Sequence, residues 1–228
     1  MQVSRNSRLP VNQLKKDAKT LFGIKLDRDK KDLFNYYYNM LTEWNNRVNL
    51  YPKGAEKYIF TNYFLDSLAI FKYLPIEENS RILDIGSGNG CPGVPIKMAR
   101  WDLDVFLVES NHKKALFLQT IQKDLKDVGI EMLSVINRRI EEVEFDEKFD
   151  VVVSRATFKL NDLIEKSFRF VKKDGYLVYY AGDDADEQVK NNKDKIKEYN
   201  FVLKKKFDYK LPNMELHRKL IFLRYKGE

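Results

Sequence analysis

Residues 81–93 read Arg-Ile-Leu-Asp-Ile-Gly-Ser-Gly-Asn-Gly-Cys-Pro-Gly, and this stretch decides the fold. An apolar run, Ile82 to Ile85, ends in glycines at alternate positions, Gly86, Gly88 and Gly90, and a helical pattern follows from Val94 to Arg100. Strand, glycine turn and helix in that order let a cofactor lie close to bare backbone at the carboxyl end of a parallel sheet. The spacing is G-x-G-x-G with Asp84 two residues ahead, not the G-x-G-x-x-G of nicotinamide and flavin enzymes. Glycines alone are weak evidence, because turns use them wherever φ is positive. A second apolar run, Val105 to Val108, ends at Glu109, nineteen residues after Gly90. In a βαβ unit an acidic side chain at that distance reaches the ribose hydroxyls of a bound cofactor, through charge-assisted hydrogen bonds that a neutral side chain could not match. The alternative for Glu109 is a solvated carboxylate at a strand end.

Working outward from the turn, apolar runs and amphipathic stretches alternate. Strands are expected over 81–86, 104–109, 131–136, 149–154, 175–181, 200–208 and 218–225, and helices near 94–100, 111–127, 160–171 and 185–198. The last two strands are joined only by a short loop containing Leu211-Pro212-Asn213, so they pair antiparallel. Upstream, Leu33, Phe34, Tyr37, Met40, Leu41 and Trp44 recur at helical steps. A turn-like Pro52-Lys53-Gly54 precedes a second helical run from Tyr58 to Tyr73, ending at Pro75. This segment lacks βα alternation and reads as a helical cap. The expected organisation is a basic N-terminal arm over 1–31, a cap over 32–78, and an α/β domain over 79–228 packed with the cap as one unit.

Composition narrows the function. The 228 residues, 43% of them apolar, suffice for one sizeable core. No apolar stretch approaches the roughly 18 residues of a membrane span, and the polar, basic Met1–Pro10 lacks the apolar region of a secretory signal. Cys91 is the only cysteine, which excludes an intramolecular disulfide and fits a cytoplasmic protein. The two histidines, His112 and His217, lie far apart, so no metal site is expected. Residues 1–31 hold nine Lys/Arg against three Asp/Glu and residues 203–228 hold eight against three, so the overall +7 leaves the middle at −4. Basic ends around a mildly acidic middle suggest a polyanion, most simply nucleic acid. The alternative is charge that only solubilises flexible ends.

The glycine turn with its Asp84 and Glu109 resembles the first motifs of S-adenosylmethionine-dependent methyltransferases. That resemblance implies a class I, Rossmann-like sheet, mostly parallel with an antiparallel last strand, and S-adenosylmethionine as cofactor. Further stretches are more specific. They run from Tyr36-Tyr37-Tyr38-Asn39-Met40-Leu41-Thr42-Glu43-Trp44-Asn45 to Asn49-Leu50, then Leu65-Asp66-Ser67-Leu68, then the turn extended by Cys91-Pro92-Gly93-Val94-Pro95. Glu109-Ser110, Lys113-Lys114, Phe117-Leu118, Arg139-Ile140-Glu141-Glu142, Ser154-Arg155-Ala156, Lys210-Leu211-Pro212 and Arg218 continue the pattern. Over about residues 33–225 the chain resembles the bacterial 16S rRNA guanine-N7 methyltransferase family, also called the glucose-inhibited division protein B family.

The resemblance implies methyl transfer to N7 of a guanine in small-subunit ribosomal RNA, with rRNA or the small subunit as partner. Oligomeric state is left open, with a monomer favoured. Gly86 and Cys91 would line the methionine and ribose end of the cofactor site, with Asp84, Gly88, Gly90 and Glu109 completing the turn. Ile140 and Glu141 would hold the adenine, partly through backbone groups. Arg155 would face the meeting point of cofactor and substrate as a clamp on phosphate or guanine O6; its alternative is an ion pair with Asp84 or Glu109. Cys91 reads as a small filler of the turn rather than a nucleophile. Asp66 reads either as a family motif residue or as a surface carboxylate or helix cap. Tyr36 to Tyr38 could stack on RNA or pack in the core. Three departures from the family pattern fall on the substrate side. Tyr51 replaces a threonine, Asn62 and Tyr63 replace a basic residue and a histidine, and Ala181 replaces a lysine. They keep two other readings open: a methyltransferase of the same ancestry with another substrate, and a non-catalytic RNA-binding module.

Overall fold

The computed structural model describes residues 9–212 and 217–227. Seven strands form one sheet: β1 (Arg81–Ile85), β2 (Asp104–Val108), β3 (Leu133–Ile136), β4 (Phe149–Arg155), β5 (Val171–Ala181), β6 (Phe201–Lys210) and β7 (His217–Tyr225). Their order is β3-β2-β1-β4-β5-β7-β6. The first five run parallel, while β7 is antiparallel to both β5 and β6. The order reverses between β1 and β4. That reversal opens a crevice at their carboxyl ends, where open α/β sheets bind ligands.

Both sheet faces are covered, which is why the central strands read as continuous apolar runs. Val151 and Val153 of β4 pack on one side, and Val152 between them packs on the other. The first side is covered by α4 (Gly93–Ala99), α5 (His112–Asp127) and an N-terminal layer, the second by α6 (Leu160–Ser167), α7 (Ala185–Asn191) and α8 (Lys193–Glu198). The N-terminal layer holds α1 (Leu9–Phe22), α2 (Arg28–Asn45), a 3-10 turn over Glu56–Tyr58, a π-helix over Ile59–Leu65 and the short α3 (Ile70–Tyr73). Asp27 caps α2 by accepting from the Lys30 amide at 2.9 Å.

Several boundaries differ from the sequence reading. The run from Tyr58 to Tyr73 is a π-helix and a short α-helix, not one helix. The helix expected over 160–171 stops at Ser167, and β5 starts at Val171, ahead of 175. Its first turnings are hidden by the charged Lys172-Lys173-Asp174, and the β4–β5 register shifts between Phe149 and Val151. The helix expected over 185–198 divides at Asn192. The largest difference is at the N-terminus. Residues 1–8 lie outside the described residues, but 9–22 are not a loose arm. Val11, Leu14, Ala18 and Phe22, spaced three and four apart, bury the inner face of α1. Lys15, Lys16 and Lys19 lie on the exposed side of the same helix, so the segment is basic in composition yet amphipathic in pattern. Among the described residues no helix is long and apolar enough to cross a membrane.

Leu14 is 2% exposed, so Leu14→Ala should lower unfolding free energy by about 2–5 kcal/mol. Urea titration measures this directly; a loss under about 0.5 kcal/mol would mean that α1 is a dispensable arm.

Candidate active site

The glycine turn closes over the carboxyl end of β1 because two amides reach the neighbouring strand. Gly86 and Ser87 donate to the Val108 carbonyl at 2.9 and 3.1 Å. Positive φ at Gly86, Gly88 and Gly90 serves different ends. A Cβ on Gly86 would sit 2.6 Å from Thr157 Oγ1, and one on Gly90 would strike the Tyr37 hydroxyl and Val94. Those two glycines let protein approach the turn. A Cβ on Gly88 would meet nothing nearer than the Gly86 carbonyl at 3.8 Å, so its outer side is open space.

Two carboxylates hold the turn from different sides. Asp84 is fully buried, and its Oδ2 accepts from the Gly93 amide at 2.9 Å, fixing the start of α4. Its Oδ1 has no hydrogen-bond partner among the described residues. Burial pushes the Asp84 carboxyl up to about 7, with the Gly93 hydrogen bond opposing and Glu109 reinforcing the rise. Asp84 therefore supports the turn from beneath. Glu109 is 7% exposed and is not a free surface carboxylate. Its Oε2 accepts from the Gly88 amide and its Oε1 from the Asn111 amide, both at 2.7 Å. Asn111 in turn caps α5 through the Lys114 amide. Each Glu109 oxygen keeps a second lone pair for a further donor.

Cys91 is buried beside the turn, and burial pushes its thiol up to about 12. A thiol in that state is neither nucleophile nor base. Ile140 and Glu141 lie in a 3-10 turn after β3, where Arg169 Nη2 donates to both their carbonyls at 3.0 and 3.1 Å. The Glu141 carboxylate is engaged by Lys166, whose hydrogen bond holds it below the usual carboxylate range. Of the three tyrosines, Tyr37 is buried and bonds the Asn89 carbonyl, Tyr36 bonds Asp124, and Tyr38 stacks on Phe60 at 5.1 Å. All three are committed within the protein.

Arg155, the last residue of β4, belongs to a network that the sequence did not disclose. Its Nη2 donates to the Asn62 carbonyl at 2.5 Å, and its guanidinium lies 5.0 Å from the centre of the Tyr63 ring. Its Nη1 lies 3.4 Å from Asp66 Oδ2. The ion-pair partner is therefore Asp66, not Asp84 or Glu109. Asp66 is 2% exposed, so it is neither a surface carboxylate nor an exposed cap. It also accepts from the Tyr209 hydroxyl at 2.6 Å and pairs with Arg218 Nε at 4.0 Å. Arg218 Nη2 completes the ring by donating to Asn62 Oδ1 at 2.9 Å. Two arginines thus share one carboxylate, leaving an excess positive charge where β4 and β7 meet the π-helix. Asp66, Tyr209 and Asn62 were missed as a unit because their contacts join residues 93 to 156 positions apart. Of the departures, Asn62 and Tyr63 bind the arginines directly. Tyr51 is buried, its amide held by Asn45 Oδ1 at 3.0 Å. Ala181 packs with Ala185 and Val189 on the α6–α8 side, opposite Lys219 of β7, whose ammonium binds Asp186 and Asp208.

The Asp84 carboxyl supplies a pH test. Its folded value of about 7 exceeds the ordinary 3.8, so the native state holds the proton more tightly. Its contribution is fully present below the unfolded value and is lost as pH rises from about 4 through about 7. In Asp84→Asn that part of the pH dependence should vanish. Denaturant midpoints at pH 5 and pH 8 should differ less in the variant than in the wild type, and an equal difference would refute the raised value.

Comparison with known proteins agrees with this geometry. The profile of the family described as "GidB: rRNA small subunit methyltransferase G" matches residues 30–221. A protein named ribosomal RNA small subunit methyltransferase G from Thermoanaerobacter sp. (strain X514) is 32% identical over 207 residues, 89% of this chain and 85% of its own. One of the same name from Desulforamulus reducens is 38% identical over 181 residues, 78% of this chain and 74% of its own. Among solved structures, the fibrillarin pre-rRNA processing protein of Methanococcus jannaschii superposes with TM-score 0.54 at 19% identity, over 69% of this chain and 71% of that one. M. jannaschii TYW2 in complex with AdoMet superposes with TM-score 0.52 at 16% identity, over 66% and 71%. The structural likenesses establish the fold, and the sequence matches establish more: this chain belongs to the rRNA small subunit methyltransferase G family.

Proposed function

We propose that this protein transfers the methyl group of S-adenosylmethionine to N7 of a guanine in 16S ribosomal RNA. The protein is an S-adenosylmethionine-dependent rRNA methyltransferase. The observation that carries the site assignment is the open side of Gly88, bounded by the Glu109 carboxylate, at the crevice between β1 and β4. A nucleoside-bearing cofactor fits this donor set. Bare backbone gives it room, the free lone pairs of Glu109 suit ribose hydroxyls, and the turn at Ile140–Glu142 flanks the end of β3. Gly86, Gly90 and Cys91 shape the turn, and Ile140 and Glu141 would meet the adenine through backbone, since the Glu141 carboxylate is already paired.

S-adenosylmethionine, when bound, supplies a methyl group on a positively charged sulfur. Guanine N7 has an exposed lone pair and no proton, so the protein needs no general base. Its residues have one task, to hold the base so that N7 lies in line with the methyl. Arg155 and Arg218 suit that task. Each guanidinium stays charged and presents several donors in a fixed plane, matching guanine O6 or a phosphate. Neither serves as acid or base.

Three measurements test the reading. Mapping N7-methylguanosine in rRNA from cells with and without the gene should show one lost site. Cofactor binding with no lost site would transfer the activity to another substrate. Calorimetry should show binding of S-adenosylmethionine and its demethylated product but not NAD, and Gly88→Val should weaken that binding by about tenfold or more. Its side chain would enter open space, so the cost to folding should be only about 1–2 kcal/mol, from positive φ. Arg155→Lys keeps the charge and loses the planar donors; kcat/KM on rRNA should fall by about tenfold or more while cofactor affinity holds. Arg155→Ala is a poorer probe, because it strips a partner from buried Asp66 and should lower Tm as well.

A further inference from the structure

On the α6–α8 side, Lys166, Lys195, Lys206 and Lys219 are paired with Glu141, Glu165, Asp186 and Asp208. On the opposite face of the outermost strand, Lys205 of β6 and Lys72 of α3 have no carboxylate partner among the described residues and are exposed. They bracket an aromatic pair. Tyr73 and Phe207 stack with ring centres 3.5 Å apart and planes 19° from parallel. Lys72 Nζ stands 5.5 Å from the Tyr73 ring centre and Lys205 Nζ 4.1 Å from that of Phe207. Phe222 supports Phe207 edge-on from β7 at 5.8 Å, so the pair is fixed from beneath. Both rings are only partly buried, and β6 has no strand beyond it.

We propose that Lys72, Tyr73, Lys205 and Phe207 form a docking site for a segment of the substrate RNA away from the modified guanine. Two cations on either side of a half-exposed ring stack match the alternation of phosphates and bases along a strand. The site also leads to the reaction centre. Residues 205, 207 and 209 share one face of β6, and each step of two residues advances about 7 Å. From Phe207 that step reaches Tyr209, whose hydroxyl holds Asp66, the partner of Arg155. An RNA strand laid over the rings would continue toward the arginine pair. An acidic protein would use the cations and leave the rings idle, so RNA accounts for more of the cluster. The inference rests on the rRNA reading given above.

The test compares Lys72→Gln/Lys205→Gln with Lys195→Gln/Lys206→Gln, which removes the same charge from two lysines already paired with carboxylates on the other side of the sheet. Binding of 16S rRNA is followed across salt concentrations. Each phosphate contact contributes a slope of about 0.7 to 0.9 in log K against log salt, so the first variant should flatten the dependence by about 1.4 to 1.8 and raise KM for rRNA. Cofactor affinity and Tm should match wild type, and the second variant should keep the wild-type slope. An unchanged slope in the first variant, with wild-type rRNA methylation intact, overturns the docking site alone. Equal flattening in both variants also overturns it, because net charge would then explain the effect. A wild-type protein that binds S-adenosylmethionine but methylates no rRNA overturns the underlying reading and the RNA occupant with it.

Discussion

Asp66 is a carboxylate with almost no contact with water, and the arrangement of the substrate side follows from that constraint. A buried acid must be met by donors or ions, and removing one partner of such a group costs far more than an exposed pair is worth. Here the donors come from three strands: Tyr209 from β6, Arg155 from β4 and Arg218 from β7. Asp66 itself follows directly on the π-helix of the cap. One side chain thereby fixes the cap against the carboxyl edge of the sheet. The neighbouring link from the Tyr180 hydroxyl to the Ser67 carbonyl at 2.8 Å ties β5 to the same segment. The cap is therefore part of the site's wall.

The cofactor side obeys a different economy of charge. Glu109 raises the cost of ionising Asp84, yet the surroundings of the two carboxylates separate their roles. Asp84 meets one amide and apolar packing, which favours its neutral form. Glu109 meets two amides and retains a wet edge at 7% exposure. Asp84 props the start of α4, while Glu109 holds the Gly88 and Asn111 amides. That division could not be read from spacing, since both carboxylates sit at the end of an apolar run.

What the sequence did carry was periodicity and local backbone demand. Alternating elements from Arg81 onward gave the sheet and its antiparallel end, and the three glycines located the crevice. Family resemblance over most of the chain then supplied the chemistry. What escaped was long-range or masked. Helix α1 was hidden because Lys15, Lys16 and Lys19 drew attention to charge, though Val11, Leu14, Ala18 and Phe22 already held a helical stripe. The onset of β5 was hidden by Lys172-Lys173-Asp174. The partners of Asp66 had no local signal at all, because nothing in a five-residue window says which distant strand will supply a donor.

The departures at Asn62 and Tyr63 take on meaning only inside that network. A basic residue at position 62 would stand against both Arg155 and Arg218, which already share Asp66. Asn62 offers two acceptors instead, its carbonyl to Arg155 and its side-chain oxygen to Arg218. Tyr63 adds the face of a ring, which attracts a guanidinium without adding charge. Both side chains are uncharged and supply acceptors for cations already present. The two guanidiniums are thereby oriented by fixed oxygens, and an oriented donor reorganises less when substrate arrives. Ala181 lies apart from that network, on the α6–α8 side. Lys219, directly across from it, already carries a cation at that edge, held by Asp186 and Asp208. Around Asp66, then, both guanidiniums are oriented by acceptors that carry no charge of their own.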